Sequence, residues 1–119
     1  MKDFKGLAVW RKAHDLTVIV YKVIGRFPKE ETYGLQSQLR RSCASVPANI
    51  AEGCGREGDA ELARFFRIAM GSASETQYHF ILARDVGLLN DGVYGKLSLK
   101  IEEIKRMLFA FIKKLKADR

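Results

Sequence analysis

The chain has 119 residues, of which 47% are hydrophobic and 29% charged, and its net charge is +7. These proportions are typical of a globular protein, and the length is sufficient for one hydrophobic core without disulfides or metal. No apolar run approaches the roughly 18 residues of a membrane-spanning helix, and the charged start precedes no apolar signal region. We therefore expect one domain over residues 1–119, in the cytoplasm and without membrane contact. Both cysteines, Cys43 and Cys54, would stay reduced there.

The positive charge is concentrated at the two ends of the chain. Residues 1–29 contain seven Lys or Arg and two Asp, a net charge of +5. Residues 96–119 contain eight Lys or Arg and three acids, again +5, whereas residues 30–95 have a net charge of −3. A segregated basic charge of this kind favours an anionic partner such as nucleic acid.

The first helix is predicted between about Leu7 and Arg26, and Gly25 and Pro28 end its pattern. Its apolar stripe recurs every three or four residues and consists of Trp10, Ala13, Thr17, Val20, Ile24 and Phe27. Glu30 and Glu31 then suit the positive N-terminal end of a second helix.

The second helix is predicted from Leu35 towards Arg56. Its apolar face consists of Leu35, Leu39, Cys43, Val46 and Ile50. Pro47 lies inside this pattern and should kink the helix, because it lacks an N–H and its ring crowds the carbonyl of Cys43. Asn49 or a serine would satisfy the freed carbonyls, and Glu52 would pair with Arg56 four residues later. Alternatively, this bend with Arg40 and Arg41 forms a specific contact surface for a subunit or a ligand.

The third helix should begin near Asp59 and carries two apolar stripes, which indicates contacts on both sides. The first stripe is Leu62, Phe66, Ala69, Ala73, Thr76, Phe80 and Ala83, and the second is Phe65, Ile68, Ser72, His79, Leu82 and Val86. The fourth helix is predicted from Val93 to Leu115, with a stripe of Tyr94, Leu97, Ile101, Ile104, Leu108, Phe111 and Leu115.

Four amphipathic helices joined by short connections predict an all-α, antiparallel, up-down-up-down four-helix bundle. Helices 1 and 4 are then neighbours, which brings the two basic segments to the same side. One core cannot use all the apolar surface of helices 1 and 3, so some of it should lie at a subunit interface. The residues we assign to that interface are Trp10, Phe65, Ile68 and Tyr78.

No motif in the sequence strongly indicates a catalytic, cofactor or metal site. Gly53 to Gly58 fits G-x-G-x-x-G, but a helix precedes it where a dinucleotide site needs a strand, so a helix–helix turn is favoured. Glu75 and His79 are four residues apart and lack the Glu-x-x-His spacing of a di-iron bundle. No serine has a companion His and Asp at a plausible site. We expect no catalytic residues, no metal ligands and no cofactor.

Several motifs resemble one bacterial four-helix bundle family. They are Gln38-Leu39-Arg40-Arg41, the run from Ser45 to Gly53 (SVPANIAEG), Arg56, Phe4, Leu7-Ala8-Val9-Trp10, Phe27-Pro28 and Ile68-Ala69-Met70-Gly71-Ser72. That family includes proteins encoded by intervening sequences of large-subunit ribosomal RNA genes. It also includes the accessory variability determinants of diversity-generating retroelements.

The resemblance implies a non-enzymatic homopentamer that contacts nucleic acid, RNA or DNA, and a reverse transcriptase as a further partner. The charge of +5 on each terminal segment, with few exposed aromatic residues expected among the cations, predicts binding without marked sequence preference. We assign the nucleic-acid contacts to Lys12, Lys22, Arg26, Arg40, Arg41, Arg56, Lys105, Arg106, Lys113 and Lys114. The alternative is a protein-interaction module whose basic surface binds an acidic protein.

Overall fold

The computed structural model describes residues 3–117, which form four helices and no strand. Helix α1 spans Ala8–Ile24, α2 Leu35–Cys54, α3 Asp59–Asp85 and α4 Asp91–Ala117. Two short 3-10 turns, Phe4–Gly6 and Lys29–Glu31, precede α1 and α2. The four helices form an elongated bundle of 47 × 22 × 20 Å.

The helices follow the up-down-up-down order that the sequence predicts. Each helix packs against its neighbours in sequence, and α1 also contacts α4, which closes the bundle. The packing is most extensive between α2 and α3 and least extensive between α1 and α4. None of the helices within residues 3–117 combines the length and apolar composition needed to span a bilayer.

The core contains the predicted apolar stripes. On α4 five of the seven stripe residues are buried, and Tyr94 and Phe111 are partly buried against them. The whole first stripe of α3 is buried as well. Phe66 is fully buried and its ring lies 4.8 Å from that of Phe111, which joins α3 to α4. Each large apolar side chain of this kind stabilises the fold by roughly 1.5–3 kcal/mol.

The connections explain where the helices begin. The backbone N–H of Leu35, the first residue of α2, donates to the Glu31 carboxylate at 3.2 Å, which is the favourable role expected for an acid at this end. Gly58 precedes α3 with a φ of +85°, a conformation that suits glycine. The segment from Gly53 to Gly58 is therefore the end of α2 and a helix–helix turn, as predicted.

Pro47 is buried inside α2, which continues through it from Leu35 to Cys54. Proline cannot donate to the carbonyl of Cys43, one turn earlier. The structure supplies a partner from another helix: the Thr17 hydroxyl on α1 lies 3.3 Å from the Cys43 oxygen and 2.8 Å from the Ala13 oxygen. Asn49, the partner expected from the sequence, instead donates to the carbonyl and hydroxyl oxygens of Ser45.

The same two helices, α1 and α2, enclose the thiol of Cys43. This residue is 1% exposed, in agreement with its predicted place in the core. Burial raises the pKa of the Cys43 thiol to about 11, an effect that its contact with Thr17 only partly offsets. The thiol is therefore protonated and unreactive at neutral pH.

Candidate nucleic-acid interface

The basic ends of the chain meet because α1 and α4 are neighbours. Lys12 on α1 forms a 3.2 Å ion pair with Glu103 on α4, and Asp15 and Lys100 lie beside that pair. The charges within this groove therefore balance. The excess positive charge must lie outside the groove, on the outer surface of the two helices.

The ten cations assigned to nucleic acid fall into two groups. Half of them are exposed and form no ion pair with any residue between 3 and 117. These five, which we call the basic face, are Lys22 and Arg26 on α1 and Arg106, Lys113 and Lys114 on α4. They lie towards the C-terminal ends of α1 and α4, which are opposite ends of the bundle if these two neighbours are antiparallel.

The other five cations already have partners within the chain. Lys12 pairs with Glu103 and Arg56 pairs with Glu52 at 2.9 Å, the i,i+4 contact that the sequence predicts. Arg41 pairs with Glu75, Lys105 donates to Gln77 at 2.9 Å, and Arg40 lies over the ring of Tyr21 at 5.8 Å. A phosphate would have to compete with these partners, so we place these five outside the basic face.

The outer seam between α2 and α3 is polar. The Glu75 carboxylate contacts both His79, at 3.1 Å, and Arg41. These contacts, that with His79 first, lower the pKa of Glu75, so it is ionised at neutral pH. Ser45 and Ser72 approach to 2.9 Å between the same helices. Within residues 3–117 no three His, Cys, Asp or Glu side chains come together as a metal site would require.

The four residues assigned to a subunit interface differ in exposure. Ile68 and Tyr78 are 41% and 56% exposed on α3. Trp10 is partly buried, with Phe4 edge-on at 5.0 Å and His14 stacked at 5.1 Å. Phe65 does not fit the expectation of an exposed side chain, because it is only 8% exposed.

The burial of Phe65 has a local cause. Gly53 on α2 faces it so closely that a Cβ there would lie 2.9 Å from the Phe65 Cβ, so only glycine allows this approach. The guanidinium groups of Arg56 and Arg64 then cover the ring, at 5.2 and 4.4 Å from its centroid. Phe65 therefore packs within its own chain and leaves little surface for a partner.

Sequence reasoning missed Phe109, which is 63% exposed on α4. The stripe on this helix includes Leu108 and Phe111, and Phe109 lies outside it. The signal that could have identified it is its helical neighbourhood: Arg106 and Lys113 are three and four residues away, on the same face.

The comparisons agree with this fold. Residues 5–110 match a family model described as 23S rRNA-intervening sequence protein. The chain is also similar to the crystal structure of a protein of unknown function from the S23 ribosomal protein family of Bacteroides thetaiotaomicron. That similarity has a TM-score of 0.81 and 25% identity, over 89% of this chain and 99% of the other. No significant match to this chain was found among curated proteins. Since the family model covers most of its length, the chain belongs to the 23S rRNA-intervening sequence protein family.

Proposed function

We propose that this protein binds RNA, without catalysis, through the basic face of α1 and α4. The observation that supports the proposal is the set of five exposed cations that have no acidic partner among the described residues. Cations of this kind attract phosphates and release the counterions that surround a nucleic acid. The name of the family gives an RNA context for the same chemistry.

The resemblance to accessory variability determinants extends the proposal to a reverse transcriptase as partner. Such a partner would need a surface apart from the one that binds RNA, and the polar seam of α2 and α3 is separate from the basic face of α1 and α4. The seam of α2 and α3, with Arg41, Ser45 and Glu75 at its surface, is the proposed side for the enzyme.

A salt titration separates RNA binding from the alternative, an acidic protein partner. We expect a labelled RNA to bind with an affinity that falls steeply with salt. Five phosphate contacts give a slope of about −3.5 in log K against log salt for a single strand, at about 0.7 per contact. Fluorescence anisotropy measures this slope. RNA that fails to bind, or an affinity independent of salt, would remove the proposal in favour of a protein partner.

We also propose a homo-oligomer, with five subunits as the resemblance implies. Ile68 and Tyr78 expose apolar surface on α3, which supports an interface between copies of the chain. Light scattering of nucleic-acid-free protein should then give about five times the chain mass of 13.5 kDa. A particle that stays monomeric at high concentration refutes the assembly, whereas another number of subunits refutes only the count.

A further inference from the structure

Phe109 differs from four other aromatic side chains near cations because no guanidinium lies over its ring within residues 3–117. Four arginine-covered rings, those of Trp10, Tyr21, Phe65 and Tyr94, have a guanidinium within 4.2–5.9 Å. No such contact to Phe109 occurs within residues 3–117, although cations are its neighbours in the helix. With 63% of its surface exposed, the Phe109 ring is open to a binding partner.

Cations surround Phe109 on its own helix. Arg106 precedes it by three residues and Lys113 follows by four, so both lie on the same face about one turn away. Lys116 is exposed a further turn along, at seven residues from Phe109. The acid that shares this face, Glu102, is two turns back, where it accepts a hydrogen bond from Ser98 at 3.3 Å.

An exposed aromatic ring between cations has the chemistry that binds an unpaired nucleotide. The ring offers a flat surface on which a base can stack, and the cations on either side hold the phosphates before and after that base. A duplex hides its bases in its own stack and would use only the cations. The arrangement therefore distinguishes single strands from duplexes.

We propose that Phe109 is a stacking platform for one unpaired base of a single-stranded nucleic acid whose phosphates contact Arg106 and Lys113. The inference rests on the proposed RNA binding and adds a preference for single-stranded segments. Sequence preference should be weak, because every base has a face that can stack. RNA and DNA single strands share this chemistry.

The test compares Phe109→Ala, Phe109→Leu and Phe109→Trp for binding to a single-stranded RNA, the same sequence as single-stranded DNA, and an RNA duplex. We expect Phe109→Ala and Phe109→Leu to bind the single strands at least about fivefold more weakly, which corresponds to the loss of one stacked base. Phe109→Trp should bind them as the wild type does. Duplex affinity and the salt slope should stay within about twofold, because no cation is removed.

Tyr33→Ala is the matched control. Tyr33 is 94% exposed, but it lies in the connection between α1 and α2, close to Glu30 and Glu31. This variant should bind all three nucleic acids normally. A loss with Phe109→Ala on RNA alone or DNA alone supports the platform and identifies the strand it accepts.

Three outcomes would overturn the platform. If Phe109→Ala weakens binding to the single strands and to the duplex equally, Phe109 supports the basic face without stacking. If Phe109→Leu binds the single strands as tightly as the wild type, apolar contact is sufficient and stacking is not needed. A change of particle mass with Phe109→Ala, seen by light scattering, would make the ring a protein interface. Wild-type protein that binds none of the nucleic acids removes the proposed function as well, so the two failures are distinguishable.

Discussion

Replacing Arg106, Lys113 and Lys114 together by glutamate should weaken single-stranded RNA binding by about two orders of magnitude at 0.1 M salt. Each lost phosphate contact lowers the salt slope by about 0.7, so three contacts lower it by about 2. Relative to 1 M salt, where such contacts contribute little, that change corresponds to roughly a hundredfold at 0.1 M. All three side chains are exposed, so the fold should tolerate the substitutions. Fluorescence anisotropy across a salt series gives both quantities.

A matched variant separates the position of the charges from their number. Replacing Lys5, Lys29 and Arg67 by glutamate changes the net charge by the same amount, but these exposed residues form no ion pair within residues 3–117 and lie outside the basic face. This control variant should keep most of the wild-type affinity for RNA. The three cations that it lacks contribute only long-range attraction, which salt screens. Equal losses in the two variants would show that net charge, and no particular surface, governs binding.

Thr17→Val should destabilise the protein by about 1–3 kcal/mol, the cost of a buried polar group left without its partner. Valine keeps the shape of threonine but cannot donate to the Cys43 carbonyl, which the Thr17 hydroxyl approaches at 3.3 Å. Because Pro47 has no N–H, the backbone of α2 cannot replace the lost bond. Urea unfolding at a fixed protein concentration measures the change in the free energy of unfolding.

The same substitution in a Pro47→Ala background tests the cause. Alanine restores an N–H one turn after Cys43, so the carbonyl regains a partner within its own helix. Thr17→Val should then cost less than about 1 kcal/mol, and the difference between the two backgrounds is the coupling of Thr17 with Pro47. If Thr17→Val costs the same in both backgrounds, the hydroxyl does not compensate for the proline.

The pattern of apolar residues was sufficient to predict the fold. The stripes of α3 and α4 repeat every three or four residues, and that period requires a helix with one buried face. Contacts within one helix were also predictable, as Glu52 and Arg56 demonstrate at a spacing of four. The helix limits differ by only a few residues. For example, α4 begins at Asp91 and not at Val93, because the Asn90 side chain accepts a hydrogen bond from the Val93 N–H at 2.8 Å and caps the helix two residues earlier.

Contacts between helices could not be predicted from local spacing. Thr17 reaches Cys43 across 26 residues and Arg41 reaches Glu75 across 34, and no periodicity specifies such pairs. The burial of Phe65 could not be predicted either. Its place in the second stripe of α3 suggested an exposed side chain, but the close approach of α2 to α3 depends on Gly53, which lies on the other helix. For the same reason the sequence did not predict which acids or amides pair with the candidate cations, except where the partner lies one turn away in the same helix.

Photo-crosslinking of a 4-thiouridine-labelled RNA, followed by mass spectrometry of the crosslinked peptides, tests the location of the RNA site most directly. We expect crosslinks in α4, around Arg106 to Lys114, and near the end of α1, around Lys22 and Arg26, at a salt concentration low enough to keep the phosphate contacts. Crosslinks confined to the seam of α2 and α3, around Arg41, Ser45 and Glu75, would contradict it.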